Sequence, residues 1–124
     1  MTIFERVNKL KKEGASEGDI ITKLKAEGIS AEVIDLHTIK PIDSETIINS
    51  VKKTGRLIIV SEACRRGSVA SDISARVTER VFEHLKGPVK IVAGLDTPIP
   101  YNSTLEQASI PCKSDIIKAA KELL

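Results

Sequence analysis

The run Leu57-Ile58-Ile59-Val60 constrains this chain more than any other feature. It is too short for a stable helix, and it lacks the alternation of a half-exposed strand. Consecutive apolar residues of this kind suit a strand buried on both faces, with helices above and below the sheet. "AEVIDL", residues 31–36, and "VKIVAG", residues 89–94, also read as strands. Helical patterns lie between them. Ile47, Ile48 and Val51 share a face, with Asp43 or Ser44 as the cap and Thr54-Gly55 as the stop. Val69, Ile73, Val77, Val81 and Leu85 recur every four residues until Gly87-Pro88. "SDIIKAAKELL" closes the chain as a further helix. Strands alternating with helices in this way predict the α/β class, with a parallel sheet and right-handed crossovers.

The N-terminal region reads differently. Residues 2–13, "TIFERVNKLKKE", place Ile3, Val7 and Leu10 on one helical face, and Gly14 is a plausible stop. Ser16 and Asp19 form a weak capping box ahead of Ile20, Ile21 and Leu24. Residues 1–28 are therefore expected to form a helical hairpin. Periodicity over four residues leaves a short strand at Asp19–Thr22 open as the rival reading. Near the other end, "LDTPIPYNSTLEQASIP" reads as an extended stretch punctuated by proline.

With 124 residues a single domain is expected, large enough to bury one core. The formal net charge is +2 and the charges interleave, so Lys9, Lys11 and Lys12 read as a solvated face rather than a nucleic-acid patch. One Tyr and two Phe leave little to stack on bases, so no nucleic-acid partner is expected. Cys64 and Cys112 form no CxxC pair, and His37 and His84 do not complete a zinc pattern. Asp35, Asp43 and Asp96 are not brought together by sequence, so no metal site is assigned. No stretch has the length of a membrane span, and a reducing, cytoplasmic setting is expected.

The loop "SEACRRGSVASD", residues 61–72, carries the most chemistry. It joins the clearest strand to the clearest helix, where α/β proteins keep their ligands. Arg65, Arg66, Gly67 and Ser68 are candidate anion-binding residues at a helix N-terminus. Cys64 is a candidate reactive thiol in their field. A small anion-binding or thiol-dependent enzyme is one reading of this loop. A polar turn is the other, because no distal arginine or acid–base partner can be placed. His37 follows a strand and reads as a loop histidine, and His84 as a helix-terminal one. Tyr101 in "PIPYN" is a candidate interface residue.

From about Lys23 onward the chain resembles a known family. "KLKAEGISAEVIDLHTIKPIDSETIINSVKKTGRLIIVSEA" resembles the C-terminal domain of thiamine-diphosphate enzymes of the transketolase type. "LDTPIPYN", followed by "LE", "IP" and a final helix, is similar to the end of the E1 β subunit of 2-oxo-acid (pyruvate) or acetoin dehydrogenases. The resemblance implies a three-layer α/β/α fold with no catalytic residues. Thiamine diphosphate would belong to other domains of the parent enzymes. The implied roles are subunit contact and docking to E1 α or E2 subunits. It also implies two strands and a helix ahead of the matching region, one strand lying mid-sheet. With a hairpin in their place, the sheet is expected to lack that strand, as in a truncated or engineered form. A homodimer is expected to cover the loss.

Overall fold

The computed structural model describes residues 2–6 and 17–124. Its elements are β1 (Thr2–Arg6), α1 (Glu17–Ala26), β2 (Glu32–Asp35), α2 (Ser44–Thr54), β3 (Leu57–Cys64), α3 (Val69–Val81), β4 (Lys90–Gly94), α4 (Ser103–Ser109) and α5 (Lys113–Glu122). A 3₁₀ turn at Phe82–His84 extends α3. The four strands form one sheet in the order β2-β1-β3-β4, and every pairing is parallel.

The chain is thus α/β, as expected, but the start of the N-terminal hairpin is corrected. Thr2–Arg6 is a strand, not a helix. It lies between β2 and β3, with Ile3 in register with Val33 on one side and Ile58 on the other. The expected gap in mid-sheet is therefore filled by the chain's own first residues. "TIFER" holds β-branched and aromatic residues that suit a strand. Pairing on both edges decided between two periods that so short a segment could not separate. Val7, Leu10 and Ser16, the rest of the expected helix and the capping residue, lie outside the described residues. The second helix of the hairpin is present as α1, so the rival strand at Asp19–Thr22 is not formed. The helix α4 is a second correction, since that stretch reads as extended.

Two apolar clusters flank the sheet. On one face Ile58 and Val60 pack with Ile20 and Leu24 of α1 and Ile116 and Ala120 of α5. On the other, Leu57 and Ile59 pack with Ile47, Ile48 and Val51 of α2 and Ile73, Val77 and Val81 of α3. All four residues of the 57–60 run are fully buried, so the double-sided strand is realised. Arg56 Nε donates to the carbonyl of Leu123 at 2.6 Å, which ties the end of α5 to the start of β3. Lys113–Asp19 and Lys121–Glu27 link α5 to α1 at 3.4 and 3.0 Å. Surface pairs of this kind contribute little each.

The helix ends follow local chemistry. Asp43 caps α2, accepting from the Thr46 N–H at 3.1 Å and its hydroxyl at 2.6 Å. Gly55 ends that helix at φ 75°, a conformation glycine adopts without penalty. The hydroxyl and N–H of Thr46 hold the Asp43 carboxyl below its ordinary value. Asp115 is lowered by the backbone N–H and then the thiol of Cys112. Glu32 is lowered by the Ser50 hydroxyl and then by Lys53. These folded-state values lie below those of the unfolded chain. The stability they add is fully present above the unfolded carboxylate range, about pH 4. It is lost as pH falls through the lower folded values. Thermal melts at descending pH should show the gap between wild type and Asp43→Ala closing below about pH 4. A gap that stays constant into strong acid would contradict this origin for the cap's effect.

Candidate functional site

The sheet order places a topological switch point between β1 and β3, because the chain passes from β1 to β2 on one side and then to β3 on the other. The Cys64–Ser68 loop leaves the carboxyl end of β3 beside this point. Its polar groups are turned mainly on the loop itself. Ser68 is the N-cap of α3 and accepts from the Ser71 N–H at 3.3 Å. The Ser68 hydroxyl donates to the Arg65 carbonyl at 3.1 Å, and the Ser71 hydroxyl donates to the same oxygen. The Cys64 thiol faces the Arg66 carbonyl at 3.6 Å. The Arg66 guanidinium pairs with Asp96 at 3.1 Å, both largely exposed. Gly67 turns the loop at φ 62°. The structure thus brings Cys64, Arg65, Arg66, Gly67 and Ser68 into one turn.

A cavity of about 280 Å³ lies behind this loop, between Leu36 and Ile39 after β2, Ile59 and Val60, and Val69 and Ala70. Its lining is mostly apolar. His37 is exposed beside it, and His84 is exposed in the 3₁₀ turn. Asp43 serves the α2 cap and Asp96 holds Arg66, so they do not converge with Asp35.

The second feature is the segment after β4. Leu95, Ile99 and Leu105 are each more than half exposed, and Tyr101 is fully exposed. Scattered apolar side chains on a surface are ordinary, but residues 95–105 expose four within one short segment. The segment is pinned. Leu95 N–H donates to the Ser109 carbonyl at 2.9 Å and closes its base. Asn102 caps α4 by accepting from the Thr104 and Leu105 N–H groups at 3.0 and 3.3 Å. Asp96 is held by Arg66. Pro98 and Pro100 restrict the backbone between these anchors. Sequence reasoning singled out Tyr101 alone. Leu95, Ile99 and Leu105 were legible as apolar residues with no helical or strand period beside prolines.

Residues 19–116 match the model of the transketolase C-terminal domain. The chain belongs to that family. The β subunit of the mitochondrial pyruvate dehydrogenase E1 component of Dictyostelium discoideum is 46% identical over 100 residues, 81% of this chain and 28% of that protein. The corresponding subunit of Rickettsia bellii is 44% identical over 105 residues, 85% of this chain and 32% of that protein. The β subunit of acetoin:2,6-dichlorophenolindophenol oxidoreductase of Cupriavidus necator is 43% identical over 101 residues, 82% of this chain and 30% of that protein. The chain therefore spans about a third of the length of the curated relatives it matches. A solved structure described as a split-gene transketolase, an inactive β4 tetramer, superposes with a TM-score of 0.75 at 27% identity. That superposition covers 99% of this chain and 37% of the other, so it takes in β1. The family is thiamine-diphosphate-dependent and binds the cofactor mainly on other domains. Among the described residues, the Cys64–Ser68 loop at the switch point engages Ser68 with its own helix and Arg66 with Asp96. No catalytic step is assigned to this chain. Among the described residues no helix is long and apolar enough to cross a membrane.

Proposed function

We propose that this chain is a non-catalytic subunit-association and docking module, equivalent to the C-terminal domain of an E1 β subunit. The observation that carries the reading is the pinned apolar segment, with Leu95, Ile99, Tyr101 and Leu105 presented to solvent. A segment already ordered in the free state loses little entropy on binding, so its apolar area converts to affinity efficiently. Its relatives are named as subunits of larger enzymes, which supports partners of the E1 α or E2 type. The structural relative is a tetramer by its description, which supports self-association, with a homodimer as the smallest unit. The Cys64–Ser68 loop has a supporting part, because Arg66 steadies Asp96 at the start of the segment. Two free thiols fit a reducing compartment, the cytoplasm or its mitochondrial counterpart.

Purified E1 α and E2 subunits of a pyruvate dehydrogenase complex provide the test, read by calorimetry against this chain. Tyr101→Ala and Ile99→Asp should each weaken binding by at least roughly tenfold, as expected of central interface residues. Their circular dichroism and melting point should stay close to wild type, since both side chains are exposed. Absence of binding to either subunit, combined with a monomer of 13.5 kDa in sedimentation, would overturn the reading.

A further inference from the structure

The sheet has two outer strands, and they are guarded unequally. At one edge, β2 is bounded by Glu32 and Asp35, and Glu32 accepts from Ser50 and from Lys53, the latter at 2.9 Å. Charges of this kind discourage pairing with another chain. At the other edge, β4 reads Lys-Ile-Val-Ala-Gly and is half-buried throughout. Its only charge, Lys90, is paired with Glu122 at 2.9 Å. Among the described residues nothing pairs with its outer side. The α3 layer leaves an open groove at this edge. Ile91 faces the α3 layer, where Ser74, Ala75 and Thr78 line that groove. Val92 faces the α5 layer and packs with Ile117 against the cluster on that side.

We infer that the β4 edge pairs antiparallel with the β4 edge of a second copy, joining two sheets into one of eight strands about a two-fold axis at Val92. The inference rests on the self-association proposed above and names its surface. The sequence of β4 is complementary to itself in this register. Ile91 falls opposite Ala93 of the second copy and Lys90 opposite Gly94, so large side chains meet small ones and no like charges are opposed along the strand. The α3 groove is complementary in charge as well. Arg65 lies at its end near the top of β3 and Glu79 lies one helix-length below. The two-fold axis sets the Arg65 end of each copy against the Glu79 end of the other. Small residues between them let the two α3 helices approach. Such a contact is isologous and closes as a dimer, with neither β4 edge left open.

Hydrogen exchange on the wild-type chain reads the pairing directly. The outward amides of Lys90–Gly94 should gain about tenfold or more protection as concentration rises through the dimerisation range, while those of Glu32–Asp35 do not change. In a Cys64→Ser, Cys112→Ser background, Val92→Cys should oxidise to a cross-linked dimer, because the two residues at the axis face each other within disulfide reach. Val33→Cys, on the other outer strand, should not. A dimer in sedimentation that shows neither β4 protection nor the Val92→Cys cross-link overturns the edge pairing and leaves self-association standing. A chain that is monomeric throughout the concentration range overturns both.

Discussion

Gly94→Ala is expected to destabilise the domain by about 3 kcal/mol, although it adds one methyl group. A Cβ at this position would overlap the Glu62 carbonyl oxygen and stand 3.2 Å from that of Ser109. Both atoms belong to the backbone, so no side-chain rotation relieves the clash. The cause lies in β3. Ser61 is in register with Ala93, but Cys64 is in register with Gly94, so Glu62 and Ala63 are extra residues. This irregularity drives the Glu62 carbonyl onto the last residue of β4, as bulges do when they bend a strand. The Ser109 carbonyl, which accepts from Leu95, also lies close to this position. Relief would require opening the bulge or lifting the end of α4. The melting point should fall by roughly 10 °C for a domain of this size. Amides of residues 95–109 should exchange faster than in wild type, and docking should weaken with them. Gly87→Ala is the control, since its Cβ would meet nothing nearer than Leu123 at 3.8 Å. Equal melting points for the two variants would show that the junction can relax without cost.

Ile58→Ala should cost about 4 kcal/mol, in the upper part of the range for buried aliphatic truncations. Ile58 is fully buried, at the centre of the face shared by α1 and α5. Its backbone is in register with Ile3 of β1 and with Lys90 of β4, so the strand cannot shift to fill the cavity without breaking two pairings. Denaturation should show a lower urea midpoint with an unchanged slope. Ile58→Val should cost only about 1 kcal/mol. If alanine and valine proved equally mild, the α1–α5 layer would have to collapse onto the sheet more freely than its packing indicates. A loss of this size is a large part of the stability of an ordinary domain, about 5–15 kcal/mol.

Much of the fold was legible because its signals are local. The run 57–60 specified a strand with two covered faces. The four-residue recurrence from Val69 specified α3, and Ile73, Val77 and Val81 are buried as that period requires. Val69, the first of the series, is exposed because it sits at the loop where the sheet ends. Asp43 and Gly55 are where helix chemistry would put them. The candidate site was less legible. Tyr101 could be singled out by residue type. That Leu95, Ile99 and Leu105 share its exposure depends on a backbone bond between Leu95 and Ser109, fourteen positions apart. The short helix α4 escaped notice because Asn102, its cap, stands in a proline-marked stretch, and seven residues show too little period.

The sequence by itself determined the α/β class, the two-faced burial of β3 and the positions of α2, α3 and α5. Each depends on residues within a few positions of one another, where side-chain period and cap chemistry act directly. Only the tertiary structure decided that Thr2–Arg6 is the strand between β2 and β3. For a five-residue segment the local preference is too weak to choose a conformation, and the ladders to residues 32–35 and 57–61 supply the difference. It also decided that Gly94 must lack a side chain, because the carbonyl that requires this comes from a neighbouring strand. The outer position of β4 belongs with these: "KIVAG" names a strand, but only the sheet order leaves one of its sides open.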